Sequence, residues 1–270
     1  MIFSIKTIGR SKLMEYKGFD KNYGLDNKVA LITGASKGIG KAIAILFAEK
    51  GADSILVDID KAVKEVANDI TKISIKCLSL IYDITKNKNV KKIVKDSLSE
   101  FGKIGILVNN AGASLVEDAE KITEEYWDKT MDVNAKAPFL LSQHVGREMI
   151  KRKYGKIINI ESIAGEIAFE KNIAYCASKA AVILMTKVLA LEWGKYNINV
   201  NSISPIFTLT EMGKKVWLGS EIGEIMRKKI PTGRFNYPEE IAAAAVYLAN
   251  DATDMITGKN LVFDGGYSIQ

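Results

Sequence analysis

Short apolar runs alternate with stretches of helical periodicity along most of the chain. Lys28–Thr33 (KVALIT) is almost continuously apolar, as a strand buried on both faces of a parallel sheet should be. Lys41–Lys50 then places apolar residues at helical spacing and closes at Gly51, which predicts a helix. The pairing recurs, with strands at Ser54–Val57, Lys76–Tyr82 and Ile104–Val108, and helices over roughly Asp60–Ile70 and Lys88–Phe101. Beyond them, Thr123–His144 reads as a long helical region, with Ala137–Lys151 continuing the pattern. Lys156–Ile160 and Ile198–Ile203 read as strands, Ala177–Trp193 and Pro238–Leu248 as helices, and Lys259–Phe263 as a last strand. Such alternation predicts an α/β fold with a doubly wound parallel sheet and helices on both faces.

Residues 1–27 precede the first strand and read as an N-terminal extension, leaving 28–270 as a single domain. The extension lacks the continuous apolar core and small-residue cleavage site of a secretory signal. It is basic enough for a mitochondrial-type presequence, although a flexible or packed extension is the simpler reading, and Met14 offers an internal start. Near the other end, Pro205 opens an irregular segment through about Gly233, rich in Gly, Lys and Met. Segments of that length are uncommon unless functional, so 205–233 is expected to be a substrate lid.

Composition narrows the function class. No apolar run reads as long enough to cross a bilayer. The net charge is +6, yet arginine supplies only five of the 38 basic residues and no arginine–aromatic cluster occurs. That argues for a solvated lysine-rich surface rather than nucleic-acid binding, with a mild preference for anionic ligands such as a dinucleotide. Cys77 and Cys176 form no C-x-x-C and no metal spacing, so they are expected to be reduced thiols of a cytoplasmic protein. His144, the only histidine, cannot anchor a usual zinc site alone, and no metal is expected.

The chemistry lies at the strand ends. Gly34-Ala-Ser-Lys-Gly-Ile-Gly40 falls between the first strand and its helix, with G-x-x-x-G-x-G spacing. Small residues there let the backbone approach a pyrophosphate, and the helix start supplies N–H groups and a positive dipole end. Asp58 ends the second strand about twenty residues on, where a carboxylate binds the adenosine ribose hydroxyls and repels a 2′-phosphate. That predicts NAD over NADP, against the opposing pull of Lys37 in the glycine loop. Asp83 ends the third strand as an adenine-edge contact, and Asn109-Asn-Ala-Gly112 after the fourth suits a backbone closing on the cofactor. Ser162 lies just past the fifth strand, where open α/β sheets bind ligands. Tyr175 and Lys179 are four residues apart, one helical turn. An ammonium near a tyrosine favours the phenolate, which suits proton exchange with a substrate oxygen.

Together these residues resemble the short-chain dehydrogenase/reductase family. The resemblance runs from about Lys28 to Tyr267 and rests on the glycine loop, Asn109–Gly112, Asn134, Ser162, Tyr175-x-x-x-Lys179, Pro205 with Thr210, and Asp264-Gly-Gly266 in family order. It implies a seven-stranded Rossmann sheet and usually a homotetramer. It also implies that Tyr175 is the general acid/base, that Lys179 tunes it and holds the nicotinamide ribose, that Ser162 positions the substrate oxygen, and that Asn134 keeps a water in the proton relay. Cofactor contacts carried over are Gly34, Ser36, Lys37, Gly38, Ile39, Gly40, Asp58, Ile59, Asp83, Ile84, Asn110, Ala111, Gly112, Tyr175, Lys179, Pro205, Thr208 and Thr210. Ile206 stands where the family usually has glycine, and Glu161 where it more often has a small residue.

Tyr175–Ala181, Thr186–Trp193, Thr210–Trp217 and Ile230–Phe235 look like the branch of threitol dehydrogenases, L-xylulose reductases and gluconate 5-dehydrogenases. The expectation is an NAD-dependent polyol dehydrogenase that interconverts a sugar alcohol and a ketose. Glu166, Asn172, Phe207 and Trp217 join Ser162 as candidate substrate contacts. The alternatives are an NADP(H)-dependent 3-oxoacyl or general carbonyl reductase and a non-catalytic dinucleotide-sensing scaffold.

Overall fold

The structure, a computed structural model, describes residue 20, residues 22–73 and residues 75–269. The strands are β1 (Val29–Thr33), β2 (Asp53–Asp58), β3 (Cys77–Ile81), β4 (Ile106–Asn109), β5 (Gly155–Ile160), β6 (Ile198–Pro205) and β7 (Asn260–Phe263). They form one seven-stranded parallel sheet in the order β3-β2-β1-β4-β5-β6-β7. The winding therefore reverses between β1 and β4, where open α/β sheets form their ligand crevice. The helices are α1 (Gly38–Glu49), α2 (Val63–Thr71), α3 (Asn87–Phe101), α4 (Glu124–Met131), α5 (Ala137–Arg152), α6 (Ile173–Trp193), α7 (Glu211–Trp217), α8 (Glu221–Lys228) and α9 (Pro238–Ala249).

Side-chain alternation along the strands builds two cores. Ala30 and Ile32 of β1 pack with Ile43 and Phe47 of α1, Val66 of α2 and Ile241 of α9. Val29 and Leu31 point the other way, into Val90 of α3, Leu141 of α5 and Leu189 of α6. Each central strand is buried on both faces, which explains the continuous apolar runs. The edge strand β3 is only half-buried throughout. This is the doubly wound parallel sheet that the alternation predicts and the seven-stranded Rossmann sheet that the resemblance implies.

Several elements depart from the expectation. The region Thr123–His144 is two helices, α4 and α5, joined by one π-helical turn at Asp132–Lys136. The segment after Pro205 is not irregular, because it contains α7 and α8. The hydroxyls of Thr210 and Ser220 accept from the N–H groups of Gly213 and Gly223 and start these helices. Each cap is followed by glutamate in the first turn, a start signal that is readable in the sequence.

The stretch Ile173–Tyr196 is long and apolar enough to span a bilayer, with mean hydropathy 1.5, contrary to the reading that no such run exists. It is a core helix: Ala174, Lys179, Val182, Ile183 and Leu189 are buried against the sheet side of the molecule. Of the N-terminal extension, residues 1–19, Met14 among them, lie outside the described residues. Its last residues are packed: Leu25 is buried and its N–H donates to the Lys50 carbonyl at 2.6 Å.

Candidate active site

The crevice forms first at the glycine loop. Gly34 and Gly38 have φ of +66° and +58°, a region that residues with a Cβ rarely enter. A Cβ on Gly40 would overlap the Gly34 carbonyl and the Asn110 amide. Asn110 pins this approach: its Nδ2 donates to the carbonyls of Thr33 (2.9 Å) and Gly34 (3.1 Å). The Thr33 Oγ1 accepts from the N–H groups of Asn110 and Ala111 at 3.0 and 3.1 Å. The Asn-Asn-Ala-Gly segment thus locks β4 to the glycine loop. Asn109 turns the other way, donating to Asn159 Oδ1 at 2.8 Å and to Ser142 at 3.2 Å.

A dinucleotide fits this cradle. No side chain caps α1, so its first N–H groups are open to an anion. Ser36 Oγ is buried in the loop without a partner among the described residues. The half-buried Asp58 carboxylate accepts from the N–H groups of Ser36 and Asp60, both at 3.0 Å, so it stands beside the loop at the β2 end. Lys37 stands nearby. Its ammonium is 3.9 Å from Asp60 on a side chain that is 74% exposed.

Ile59 is exposed and shares a second cleft with Asp83, past the ends of β2 and β3. Burial raises the Asp83 carboxyl, but two hydrogen bonds from Thr85 outweigh it and hold the group below its ordinary range. Ile84 is buried in the core, so only its backbone is available to a ligand.

On the other side of the winding reversal lies a cleft of about 720 Å³. Ser162, Tyr175 and Lys179 line it together with Ile39, Asn110, Gly112, Pro205, Thr208 and Thr210. Ser162 follows β5 in extended conformation and accepts from the Ala164 N–H at 3.1 Å. Tyr175 and Lys179 share one face of α6. The Lys179 side chain is 6% exposed, and its Nζ donates to the Ile160 carbonyl at 2.9 Å. Asn134 sits in the π-helical turn. Its amide is spent on Ala113 N–H and C=O, both at 2.8 Å, and on Ser178 at 3.1 Å.

The substrate end is largely apolar. Phe207 lies with its ring centre 4.4 Å from that of Trp217, which α7 carries over the cleft. Phe169 and Asn172 complete this wall. One candidate substrate contact lies elsewhere. Glu166 is not on the cleft wall, because its carboxylate accepts from Asn260 on β7 at 2.6 Å. Ile206 lines the cleft between Pro205 and Phe207 while packing with Ile163 and Phe235, and its N–H donates to the Phe263 carbonyl at 2.9 Å.

Glu161 is the group whose importance the sequence understates. Its side chain is 2% exposed and its Oε2 lies 3.7 Å from Lys179 Nζ. The signals were an acid just past a strand end, where the family more often has a small residue.

Comparisons with known proteins agree with this geometry. A family model described as enoyl-(acyl carrier protein) reductase matches residues 34–268. The NAD-dependent glycerol dehydrogenase of Listeria innocua is 54% identical over 257 residues, covering 95% of this chain and 100% of the relative. The D-threitol dehydrogenase of Mycolicibacterium smegmatis is 44% identical over 252 residues, covering 93% and 96%. A crystal structure of a short-chain type dehydrogenase/reductase from Mycobacterium marinum superposes with TM-score 0.87 at 35% identity, covering 92% of this chain and 98% of that one.

Proposed function

The chain belongs to the short-chain dehydrogenase/reductase family, and from that premise we propose that it is an NAD-dependent dehydrogenase of short, uncharged polyols. One observation carries the reading: Ser162, Tyr175 and Lys179 converge on a cleft in which, among the described residues, Lys179 is the only cationic lining residue. A carboxylate or phosphate substrate would need a second cation there. A neutral polyol needs only hydroxyl partners and an apolar wall. The similarity to a glycerol and a threitol dehydrogenase supports the same substrate class. Asp58 beside the glycine loop supports NAD as cofactor.

The residues divide the work. The bound dinucleotide supplies the hydride acceptor. Ser162 donates to the substrate oxygen and fixes the carbinol toward Tyr175. Tyr175 takes the hydroxyl proton as the hydride leaves the same carbon, so the carbinol becomes a ketone. Lys179 holds a ribose hydroxyl of the cofactor and keeps a positive charge near the Tyr175 ring. The Asn134 side chain is consumed in holding the Ala113 loop and Ser178, so a relay water would rest on the backbone of the π-helical turn, where the α-helical ladder is interrupted. Residues 205–233, with Trp217 on α7, act as the lid.

The enzyme is cytoplasmic and works as a homotetramer. Leu184, Val188 and Leu191 are exposed along one face of α6, an apolar stripe suited to a second copy. Light scattering tests this, and a monomer at working concentration would refute it.

The deciding experiment follows NADH formation with glycerol, tetritols, pentitols and hexitols, and with aldonates as charged controls. We expect turnover of at least one neutral polyol with NAD and weak turnover of aldonates. No turnover across the panel with either cofactor would refute the proposed function.

A further inference from the structure

Glu161 ends at a point where the fold gives it one charged neighbour. Its carboxyl lies on the α6 side of the sheet, 3.7 Å from Lys179 Nζ, beyond hydrogen-bond reach. The Oε2 atom accepts no hydrogen bond among the described residues. Lys179 uses a donor on the Ile160 carbonyl instead. On the β6 side Glu161 meets backbone, its N–H donating to the Ile203 carbonyl at 2.7 Å. The turn that follows brings the neutral Ser162, and α6 brings Tyr175 one turn before Lys179. Burial pushes the Glu161 carboxyl up to about 7, and Lys179, the only charged group acting on it among the described residues, holds it below where burial alone would leave it.

A buried carboxyl oxygen without a hydrogen bond costs stability, and an apolar or small side chain would fill the position without that cost. What the carboxyl can do is act on the ammonium beside it. That same ammonium lies 5.7 Å from the centre of the Tyr175 ring. Resting on the dehydrogenase reading above, we propose that Glu161 is a positioning residue whose charge sets how much of the Lys179 positive field reaches Tyr175 and the bound dinucleotide. Ionised Glu161 offsets Lys179. Protonated Glu161 leaves the ammonium unopposed, which favours both an anionic cofactor and proton removal by Tyr175.

The test compares the wild type with Glu161→Gln in two measurements. Fluorescence titration of NADH binding is made at a series of pH values from about 5 to about 9, spanning the range in which a group shifted toward neutrality changes charge. The kcat profile for polyol oxidation is recorded over the same range. The wild type should bind NADH severalfold more tightly at the acid end, and the Gln variant should keep the tight value throughout. The rising limb of kcat should move to lower pH by about one unit in the variant, tenfold in proton activity. A Gln variant with wild-type pH dependence of NADH binding overturns the proposal, whatever its turnover. If the wild type oxidises no polyol, the substrate reading fails, and the binding titration still decides the role of Glu161. Where circular dichroism shows that Glu161→Gln has not folded, Glu161→Ser is read in the same way, since it removes the charge with less buried bulk.

Discussion

The Lys179 ammonium lies 5.7 Å from the centre of the Tyr175 ring, on the same face of α6. It is held by the Ile160 carbonyl at the end of β5, so the strand end fixes where the charge stands. Two substitutions separate its roles. Tyr175→Phe should lower kcat by about 10²–10⁴-fold while leaving NADH affinity nearly unchanged, because only the proton-transfer group is lost. Lys179→Ala should lower kcat and weaken NADH binding together. Steady-state kinetics with a fluorescence binding titration checks both, and normal NADH affinity in Lys179→Ala would refute the shared role.

Asp58 should govern the choice of cofactor. Its carboxylate accepts from the Ser36 and Asp60 N–H groups and stands where a 2′-phosphate would be repelled. Asp58→Ala should reduce the preference for NAD over NADP, measured as a ratio of kcat/KM, by at least about tenfold, or about 1.4 kcal/mol. A wild type that already prefers NADP would refute the role.

Gly40→Ala should be more harmful than a surface glycine substitution. The added methyl would overlap the Gly34 carbonyl and the Asn110 amide that lock β4 to the loop. The expected outcome is a lower melting temperature and loss of NADH binding. Gly102→Ala gives the contrast: its Cβ meets nothing within 4 Å, so only its φ of +68° is strained, and NADH binding should survive.

Glu161 makes stability depend on pH. Its carboxyl is pushed up to about 7 in the fold, from 4.5, by burial. Between those values the folded protein keeps a proton that the unfolded chain releases, so this group's contribution to stability falls as pH rises from 4.5 to about 7 and is flat above. Glu161→Gln should therefore raise stability relative to wild type at alkaline pH, by about 3 kcal/mol at most, less the cost of the buried amide. The gain should vanish below the ordinary carboxyl range. Denaturant unfolding at acid and alkaline pH checks this, and a gain independent of pH would contradict it.

At the opposite end of the sheet, Lys156 is 1% exposed and bonds Asn199 Oδ1 at 2.8 Å and Asp254 at 2.5 Å. Burial lowers its pKa, and Asp254 opposes that shift. Asp254→Ala would strand a buried ammonium and should destabilise the fold by about 2–3 kcal/mol, below the usual range of about 3–5 kcal/mol because Asp254 is half exposed. Adding Lys156→Met should restore most of the loss. The kcat of the folded protein should not change in either variant.

Much of this was readable from local chemistry. Apolar runs such as Lys28–Thr33 specify strands covered on both faces, and glycine spacing between a strand and a helix specifies a phosphate cradle. The order of Asn134, Ser162, Tyr175 and Lys179 pointed to one reaction class. These signals survive without a structure because each depends on residues close together in the chain. What the tertiary structure decided depends on residues brought together from afar. Glu166 left the cleft because Asn260, on β7, captured its carboxylate. Ile206 packs with Ile163 and Phe235 while still lining the cleft. Lys37 stands exposed, 3.9 Å from Asp60. The α7–α8 lid looked irregular because its helices are too short for periodicity to reveal, and their hydroxyl caps carry the signal instead. Glu161 was visible as an odd acid at a strand end. Only the packing of α6 on β6 and on the turn Ile163–Gly165 placed it 3.7 Å from Lys179, where a buried charge acts with little water to screen it.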